Sequence, residues 1–276
     1  RRRAIGTARD GSGSKPDQPK PDHLPSYRWP GRGRGVARSP ENGRCTVADR
    51  GIVYIVWGEK VLPILDRSRI SVANIHPELP VHVEVLPPDS TLLDKSRMHR
   101  LTPFEETLFL DSDTVVMDRL DFGFDMAAQH GLAVSICECP WARRYGGIRG
   151  DTVEYNTGVI FFNQKSYHVF DAWDTCGRDV DSSILFYQGT SVVRMPYNDQ
   201  AGFAKAIADT GFNPYVLPYN WNFRPMWHRT FWGPIKIWHD YSDPPADVTT
   251  WTANQANDGA IIQFADLGAY RSGTQS

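Results

Sequence analysis

The sequence predicts an α/β fold: a single domain with a mixed, mostly parallel sheet flanked by helices. Short apolar runs rich in β-branched residues alternate with segments of helical periodicity from residue 51 onward. The first run, GIVYIVWG at 51–58, is apolar almost throughout, as in a strand buried on both faces. In such sheets ligands bind beyond the carboxyl ends of the strands, and we expect the functional residues there.

The following segments continue this alternation. Residues 60–74 predict a helix, with Pro63 tolerated only in its first turn, and VHVEVL at 81–86 alternates like a second strand. Further strands are predicted at 106–110, 132–137, 158–162 and 235–239, and further helices at 92–101, 166–174 and 199–209.

The amino-terminal segment differs in composition from the rest. The first 50 residues carry 10 Arg and 2 Lys against 5 Asp and Glu, and they are rich in Pro, Gly and Ser without apolar periodicity. Such a segment cannot bury enough surface to offset its ordering entropy. We therefore predict a disordered basic tail at 1–47, a folded domain at 48–270 and a short tail at 271–276.

The same segment bears on partners and location. A basic tail could make weak contact with an anionic membrane surface, and we predict no specific nucleic-acid partner. The sequence has no secretory h-region and no apolar run near the roughly 18 residues of a membrane span. Its 4 Cys residues lack metal-knuckle spacing and are predicted to be free thiols. These features favour a cytoplasmic location, with a peripheral membrane location as the alternative.

An acidic pair follows the predicted strand at 106–110. In LFLDSDTVVMD, Asp111 and Asp113 are two positions apart at the carboxyl end of an apolar run. Two carboxylates on a short turn offer hard oxygen ligands that complete only part of a metal shell, which suits Mg²⁺ or Mn²⁺ bridging to substrate phosphates. Asp is also common in turns for local hydrogen bonding.

One enzyme class with this motif is the haloacid-dehalogenase-like phosphatases. LFLDSDTV resembles their D-x-D-x-T strand, whose first Asp is the nucleophile, here Asp111. Those enzymes open their domain with this strand, whereas two strands and two helices are predicted before it here. They also need a later strand ending in Gly-Asp, and Gly150-Asp151 does not follow a predicted buried strand. This reading is kept as the alternative.

Four segments in order point to a second class. SRMHRLTPFEETLFLDSDTVVMD (96–118), YNTGVIFFN (155–163), MPYNDQAGFAKAI (195–207) and IKIWHDY (235–241) together resemble glycosyltransferase family 8, the glycogenin and lipopolysaccharide galactosyltransferase family. The resemblance spans roughly residues 51–241. It implies a GT-A (Rossmann-like) fold and a metal-dependent transfer of a sugar from a nucleotide diphosphate sugar to a hydroxyl acceptor, with retained anomeric configuration.

The resemblance also implies roles for individual residues. Asp111, Asp113 and His239 would hold the metal. A shell of carboxylates and imidazole favours Mn²⁺ over Mg²⁺. Asp199 and Gln200 would be catalytic: the carboxylate would hold a sugar hydroxyl, and the Gln carbonyl would stabilise the reacting carbon.

Donor binding is assigned to Trp57, Lys95, Asp111 and Asn156. Trp57 lies in VWGEK, which stands where the family usually has a base-contacting Asp. The implied donor is a uridine diphosphate sugar, and the acceptor is a carbohydrate, glycolipid or protein hydroxyl. The segment after His239, HDYSDPPADVTTW, lacks the family's diphosphate-binding Lys. A non-catalytic nucleotide-sugar binding module on the same fold is therefore a further alternative.

Aromatic residues concentrate late in the chain. Four of the 9 Trp lie between 221 and 238. They could form a platform for an acceptor sugar or simply part of the core. Asn220 and Asn222 flank Trp221 and are predicted to line the cleft.

Overall fold

A computed structural model of the chain describes residues 49–138, 152–180, 184–188, 190–195, 199–228, 231–232, 234–258 and 263–264. The strands are β1 (Arg50–Val56), β2 (Val81–Val85), β3 (Glu106–Leu110), β4 (Thr114–Val116), β5 (Leu132–Ile136), β6 (Tyr155–Asn163), β7 (Ile184–Gln188), β8 (Ser191–Met195), β9 (Tyr215–Leu217), β10 (Phe231–Trp232), β11 (Ile237–His239) and β12 (Gln263–Phe264). The α-helices are α1 (Leu62–Ile75), α2 (Met98–Leu101), α3 (Asp121–His130), α4 (Tyr167–Cys176), α5 (Asp199–Thr210) and α6 (Ala246–Asp258).

The main sheet has six strands in the order β2-β1-β3-β6-β5-β9. β1 pairs in parallel with β2 and β3, and β5 pairs in parallel with β9. β6 runs antiparallel to both of its neighbours, β3 and β5. The predicted mixed, mostly parallel α/β sheet is therefore confirmed, with β6 as its reversed strand.

The reversal of β6 brings its beginning to the edge of the sheet where β3 ends. Val159 pairs with Leu110, the last residue of β3. The next residue, Asp111, donates its backbone N–H to the carbonyl of Gly158 at 2.8 Å. Residues at the start of β6 consequently lie where the chain leaves β3.

A second, two-stranded ribbon extends from that edge. β4 pairs antiparallel with β11, and His239 lies opposite Thr114. The backbone N–H of Asp240 also donates to the carbonyl of Asp113 at 3.0 Å. The ribbon thus joins the turn after β3 to a segment more than a hundred residues later in the chain.

The core lies on both faces of the main sheet. Ile52 and Tyr54 of β1 pack into one cluster with α1 and α3, and Val53 and Ile55 pack into another with α4 and α5. Successive strand residues point to opposite faces, so an all-apolar β1 fits burial on both sides, as the sequence indicated.

The segment 92–101 differs from the predicted helix. It is a 3-10 helix at 92–97 followed by the short α2. Asp94, Lys95 and Ser96 are all buried and bond to other parts of the chain, Asp94 to Arg178 and Ser96 to Asp174. These tertiary contacts override the helical pattern, since propensity is only a weak guide.

Several elements were not predicted, namely β4, α3, β7, β8, β9, β10, β12 and α6. Residues 1–47 and 271–276 lie outside the described residues, so the domain boundaries stay predictions. Among the described residues, no helix combines the length and apolarity that crossing a bilayer requires.

Candidate metal centre and active site

Three predicted metal ligands meet at the carboxyl end of β3. Ligand atoms of Asp111, Asp113 and His239 all lie within 4.8 Å of one another. His239 Nε2 is 3.3 Å from Asp113 Oδ1 and 3.9 Å from Asp111 Oδ2. The β4–β11 pairing brings His239, the last residue of β11, next to the turn between β3 and β4 that carries the two aspartates.

These distances fit ligands of a single cation. In an octahedral shell with bonds of about 2.1 Å, adjacent ligands are about 3.0 Å apart and opposite ones about 4.2 Å. The observed separations of 3.3 and 3.9 Å fall in that range. Two carboxylates and one imidazole leave room in the shell for oxygens of a substrate, and the donor set suits Mn²⁺.

Gly158 of β6 lies directly behind the side chains of His239 and Asp111. A Cβ at this position would stand 2.3 Å from His239 Cε1 and 2.8 Å from Asp111 Oδ2. The absence of a side chain at Gly158 therefore allows the imidazole and the carboxylate to approach each other. The sequence resemblance included this glycine, but its physical role emerges only from the packing.

A buried chain of hydroxyls supports the turn that carries the acidic pair. Tyr54 OH lies 2.8 Å from Ser68 Oγ, which lies 3.0 Å from Thr114 Oγ1. Thr114 Oγ1 donates to the backbone carbonyl of Asp111 at 2.7 Å. The core of the domain thus fixes the backbone at the first carboxylate.

Lys95 connects this centre to the proposed catalytic aspartate. Its Nζ is 2.8 Å from Asp111 Oδ1 and 2.9 Å from Asp199 Oδ2, and its side chain is 3% exposed. The ammonium also lies 5.2 Å from the centroid of the Phe109 ring. The lysine therefore faces the interior rather than the solvated face of its helix.

Burial and charge shift the pKa values of these groups. Burial opposes the charge on Lys95, but Asp111 and Asp199 outweigh it and raise the pKa of the ammonium above its usual value. Burial raises the pKa of the Asp111 carboxyl despite the opposing charge of Lys95. At Asp113 the His239 imidazole overcomes the effect of burial and lowers the pKa to about 2. Because its pKa is raised, the Lys95 ammonium stays charged at neutral pH.

Asp199 and Gln200 begin α5 and are both buried. Thr157 Oγ1 donates to Asp199 Oδ2 at 2.8 Å, the same oxygen that faces Lys95. Gln200 Nε2 donates to Glu154 Oε1 at 3.3 Å. Since a carboxylate only accepts hydrogen bonds, the Gln200 amide turns its nitrogen toward Glu154 and its carbonyl oxygen the other way.

Asn156 lies within β6 rather than before it, and the structure places it behind the metal ligands. Its Oδ1 accepts hydrogen bonds from Gly158 N at 2.9 Å and from Asn222 Nδ2 at 2.8 Å. Asn222 Oδ1 in turn lies 2.7 Å from His239 Nδ1. The side-chain oxygen of Asn156 is therefore engaged inside the protein.

The structure also locates the other residues singled out in the sequence. Trp57 lies just beyond the carboxyl end of β1 and is half-buried. Trp221 and Trp238 are core residues at 5% and 0% exposure, whereas Trp227 is 40% exposed. Asn220 donates to the carbonyl of Pro234 and lies apart from the metal ligands.

Sequence reasoning missed Thr157 and Glu154 altogether. Both lie on or beside β6, next to the predicted Asn156, and no spacing rule sets them apart. A cluster of polar residues at the start of an otherwise apolar strand is the one available signal.

A second group of potential metal ligands is already paired with other residues of the protein. Atoms of His76, Glu78 and Asp121 also lie within 4.8 Å of one another. However, His76 Nε2 already accepts the backbone N–H of Leu120 at 2.9 Å, and Arg119 pairs with both carboxylates. These partners satisfy the groups without a cation.

Two cavities in the described part of the chain lie away from these residues. One of about 560 Å³ lies between the start of β6 and α5, and one of about 390 Å³ lies beside residues 102–106 and 163–167. Neither is lined by a predicted metal ligand.

Comparison with known proteins gives structural likenesses only. No protein-family model matches the chain, and no curated protein matches it. The galactosyltransferase LgtC, in complex with donor and acceptor sugar analogues, is similar over 80% of this chain and 99% of its own, with 15% identity and a TM-score of 0.48. Mouse xyloside xylosyltransferase 1 is similar over 72% of this chain and 99% of its own, with 14% identity and a TM-score of 0.47.

The glycosyltransferase GlyE of Streptococcus pneumoniae TIGR4 is similar over 64% of this chain, with 14% identity and a TM-score of 0.40. The chain spans about half of GlyE, 47% of its length. All three are named as glycosyltransferases. At such identities and TM-scores the likeness carries no argument about activity, which has to come from the side chains.

Proposed function

We propose that this protein is a metal-dependent glycosyltransferase that moves a sugar from a nucleotide diphosphate sugar to a hydroxyl acceptor. One observation carries the proposal: Asp111, Asp113 and His239 converge at one strand end, and Lys95 links them to Asp199. Residues far apart in the sequence thus form one polar site with the charges that such a reaction needs.

Asp111, Asp113 and His239 would hold the cation, with Mn²⁺ favoured over Mg²⁺ by the mixed donor set. When bound, it would act as a Lewis acid on phosphate oxygens and stabilise the charge of a leaving nucleoside diphosphate. Lys95 would add a fixed positive charge beside the same position, in an interior where charges act strongly.

Asp199 would orient the donor sugar. Lys95 and Thr157 both bond its Oδ2, and no hydrogen bond from a described residue reaches its Oδ1. That oxygen would accept a hydrogen bond from a sugar hydroxyl. Gln200, held through its nitrogen by Glu154, would direct its carbonyl oxygen toward positive charge developing at the reacting carbon.

The finer details remain proposals from the sequence resemblance. They are retention of anomeric configuration, a uridine diphosphate sugar as the donor, and donor contacts by Trp57 and Asn156. The acceptor class, the cytoplasmic location and the weak membrane contact of the tail stay predictions.

The test is turnover of nucleotide diphosphate sugars with and without Mn²⁺, after a thermal-shift screen identifies a stabilising nucleotide. We expect Mn²⁺-dependent hydrolysis or transfer that Asp113→Ala abolishes. Asp121→Ala, which removes an exposed carboxylate paired with Arg119, is the matched control and should retain activity. Activity that is indifferent to both Mn²⁺ and Asp113→Ala would rule out the mechanism.

The same assays separate the alternatives. A dehalogenase-like phosphatase would hydrolyse simple phosphomonoesters and form a trappable aspartyl phosphate at Asp111. A binding module would bind the donor tightly in calorimetry without turnover. The anomeric configuration of the product, read by NMR, tests retention.

A further inference from the structure

A chain of hydrogen bonds behind His239 starts at a group whose polarity is fixed. The backbone N–H of Gly158 can only donate, and it donates to Asn156 Oδ1 at 2.9 Å. Side-chain amides and imidazoles are ordinarily ambiguous in which atom donates. Here the backbone amide resolves the ambiguity for every group that follows.

Each donor or acceptor assignment fixes the assignment of the next side chain in the chain of hydrogen bonds. Asn156 Oδ1 is an acceptor, so the Asn222 atom 2.8 Å from it must be the donating Nδ2. The other terminal atom of Asn222 is then the accepting Oδ1, which lies 2.7 Å from His239 Nδ1. The Nδ1 atom must therefore carry the proton, and in the neutral ring Nε2 keeps its lone pair.

Burial makes this arrangement hard to replace. Asn156 is 3% exposed, Asn222 is 2% exposed and His239 is 9% exposed. A flipped amide would place two acceptors or two donors against each other, away from water that could compensate. A buried polar group without a partner costs about 1–3 kcal/mol.

The carboxylates around His239 Nε2 favour the other tautomer, with the proton on Nε2. Asp113 Oδ1 lies 3.3 Å away and Asp111 Oδ2 lies 3.9 Å away, and both are acceptors. In the metal-free protein these carboxylates favour a proton on Nε2, which would block that nitrogen as a ligand. A hydrogen-bond acceptor at Nδ1 is therefore needed to keep the proton on that nitrogen, on the far side of the ring from the carboxylates.

We propose that Asn222 is the positioning residue that holds His239 in the Nδ1–H form, so that Nε2 faces the acidic pair as a metal ligand. This inference rests on the proposed metal site, and it assigns a role to a residue that does not touch the cation. Partners behind ligating histidines commonly set ring orientation, and their loss costs about 10–100-fold in metal affinity or activity.

Two measurements test the proposal. Long-range ¹H–¹⁵N NMR of histidine-labelled, metal-free protein, at a pH where the ring is neutral, identifies the protonated nitrogen of His239. We expect Nδ1–H in the wild type. Calorimetric titration with Mn²⁺ should show an affinity about 10–100-fold weaker in Asn222→Leu than in the wild type.

The matched control is Asn220→Leu, the same substitution two residues earlier, in the 3-10 helix Tyr219–Trp221 that ends at Asn222. Asn220 bonds to the carbonyl of Pro234 instead, so its loss should leave both the proton position and Mn²⁺ affinity unchanged. A folded Asn222→Leu protein with wild-type Mn²⁺ affinity would overturn the proposal. So would a proton on Nε2 in the metal-free wild type, a result that needs no variant.

The readouts also separate this inference from the proposed function. A wild type that binds Mn²⁺ through the three ligands but transfers no sugar would contradict the transferase and leave the role of Asn222 supported. A wild type with the proton on Nε2 that still transfers sugar would contradict the role of Asn222 alone.

Discussion

Gly158→Ala is a test of the metal centre that removes no ligand. The new Cβ would stand 2.3 Å from His239 Cε1, 3.0 Å from His239 Nδ1 and 2.8 Å from Asp111 Oδ2. Carbon atoms in contact are normally about 3.5–4.0 Å apart, so the imidazole must retreat by more than about 1 Å. Metal sites require ligand distances within about 0.2 Å of their ideal values.

The imidazole has little freedom to retreat. The backbone N–H of His239 donates to the carbonyl of Phe223 at 2.8 Å, and Nδ1 bonds Asn222 at 2.7 Å. We therefore expect Mn²⁺ affinity to fall by about 100-fold, the upper end for disturbed ligand orientation. Overpacking should also lower the free energy of unfolding by about 1–3 kcal/mol.

Calorimetric Mn²⁺ titration and urea unfolding measure the two effects separately. Gly123→Ala is the matched control, because its Cβ would stand 2.5 Å from the Phe161 ring in the core, away from the metal ligands. The control should lose stability and keep Mn²⁺ affinity. Wild-type Mn²⁺ affinity in Gly158→Ala would refute the reasoning.

Three further changes probe the neighbouring charges. Lys95→Met leaves Asp111 and Asp199 without their shared cation. Urea titration should show a free energy of unfolding that is about 3–5 kcal/mol lower. A loss under about 1 kcal/mol would contradict this. Thr157→Val removes one hydrogen bond to Asp199 and should reduce kcat more than donor affinity in the transfer assay; equal losses would point to a structural role. At Asp94, burial is outweighed by a backbone N–H and by arginines, so the pKa of its carboxyl is lowered in the folded protein. The stabilisation by Asp94 is therefore complete above the unfolded value of about 3.9 and is lost as pH falls through the folded pKa. Asp94→Asn should remove that part of the acid dependence in urea titrations from pH 6 to 3, and an unchanged profile would exclude it.

Much of the fold could be predicted because its strands are uniform in composition. The interior of GIVYIVWG carries only aliphatic and aromatic residues, so burial on both sides followed directly. The reversed direction of β6 could not be predicted in this way. A run such as GVIFF reads the same in either direction, and the pairing partner is set by distant parts of the chain.

For the candidate site as well, the sequence identified residues with a local signal, whereas residues placed by distant parts of the chain gave none. Asp111 and Asp113 stand out locally, because carboxylates end an apolar run. His239 and Asp199 were assigned only through resemblance, since nothing in IKIWHDY or YNDQ shows which strand or helix lies next to β3. Asn222 was expected to face the cleft. The structure instead places it behind His239, where a hydrogen-bond partner matters more than exposure.

The shared ammonium of Lys95 has a consequence for the order of binding. Lys95 pairs with Asp111 and Asp199, and Asp113 lies nearby beside His239. When all three carboxylates are ionised and His239 is neutral, the cluster carries an excess of two negative charges. A pyrophosphate would meet repulsion there until a dication cancels that excess. The nucleotide should thus not bind before the inorganic ion, which enters ahead of it or together with it.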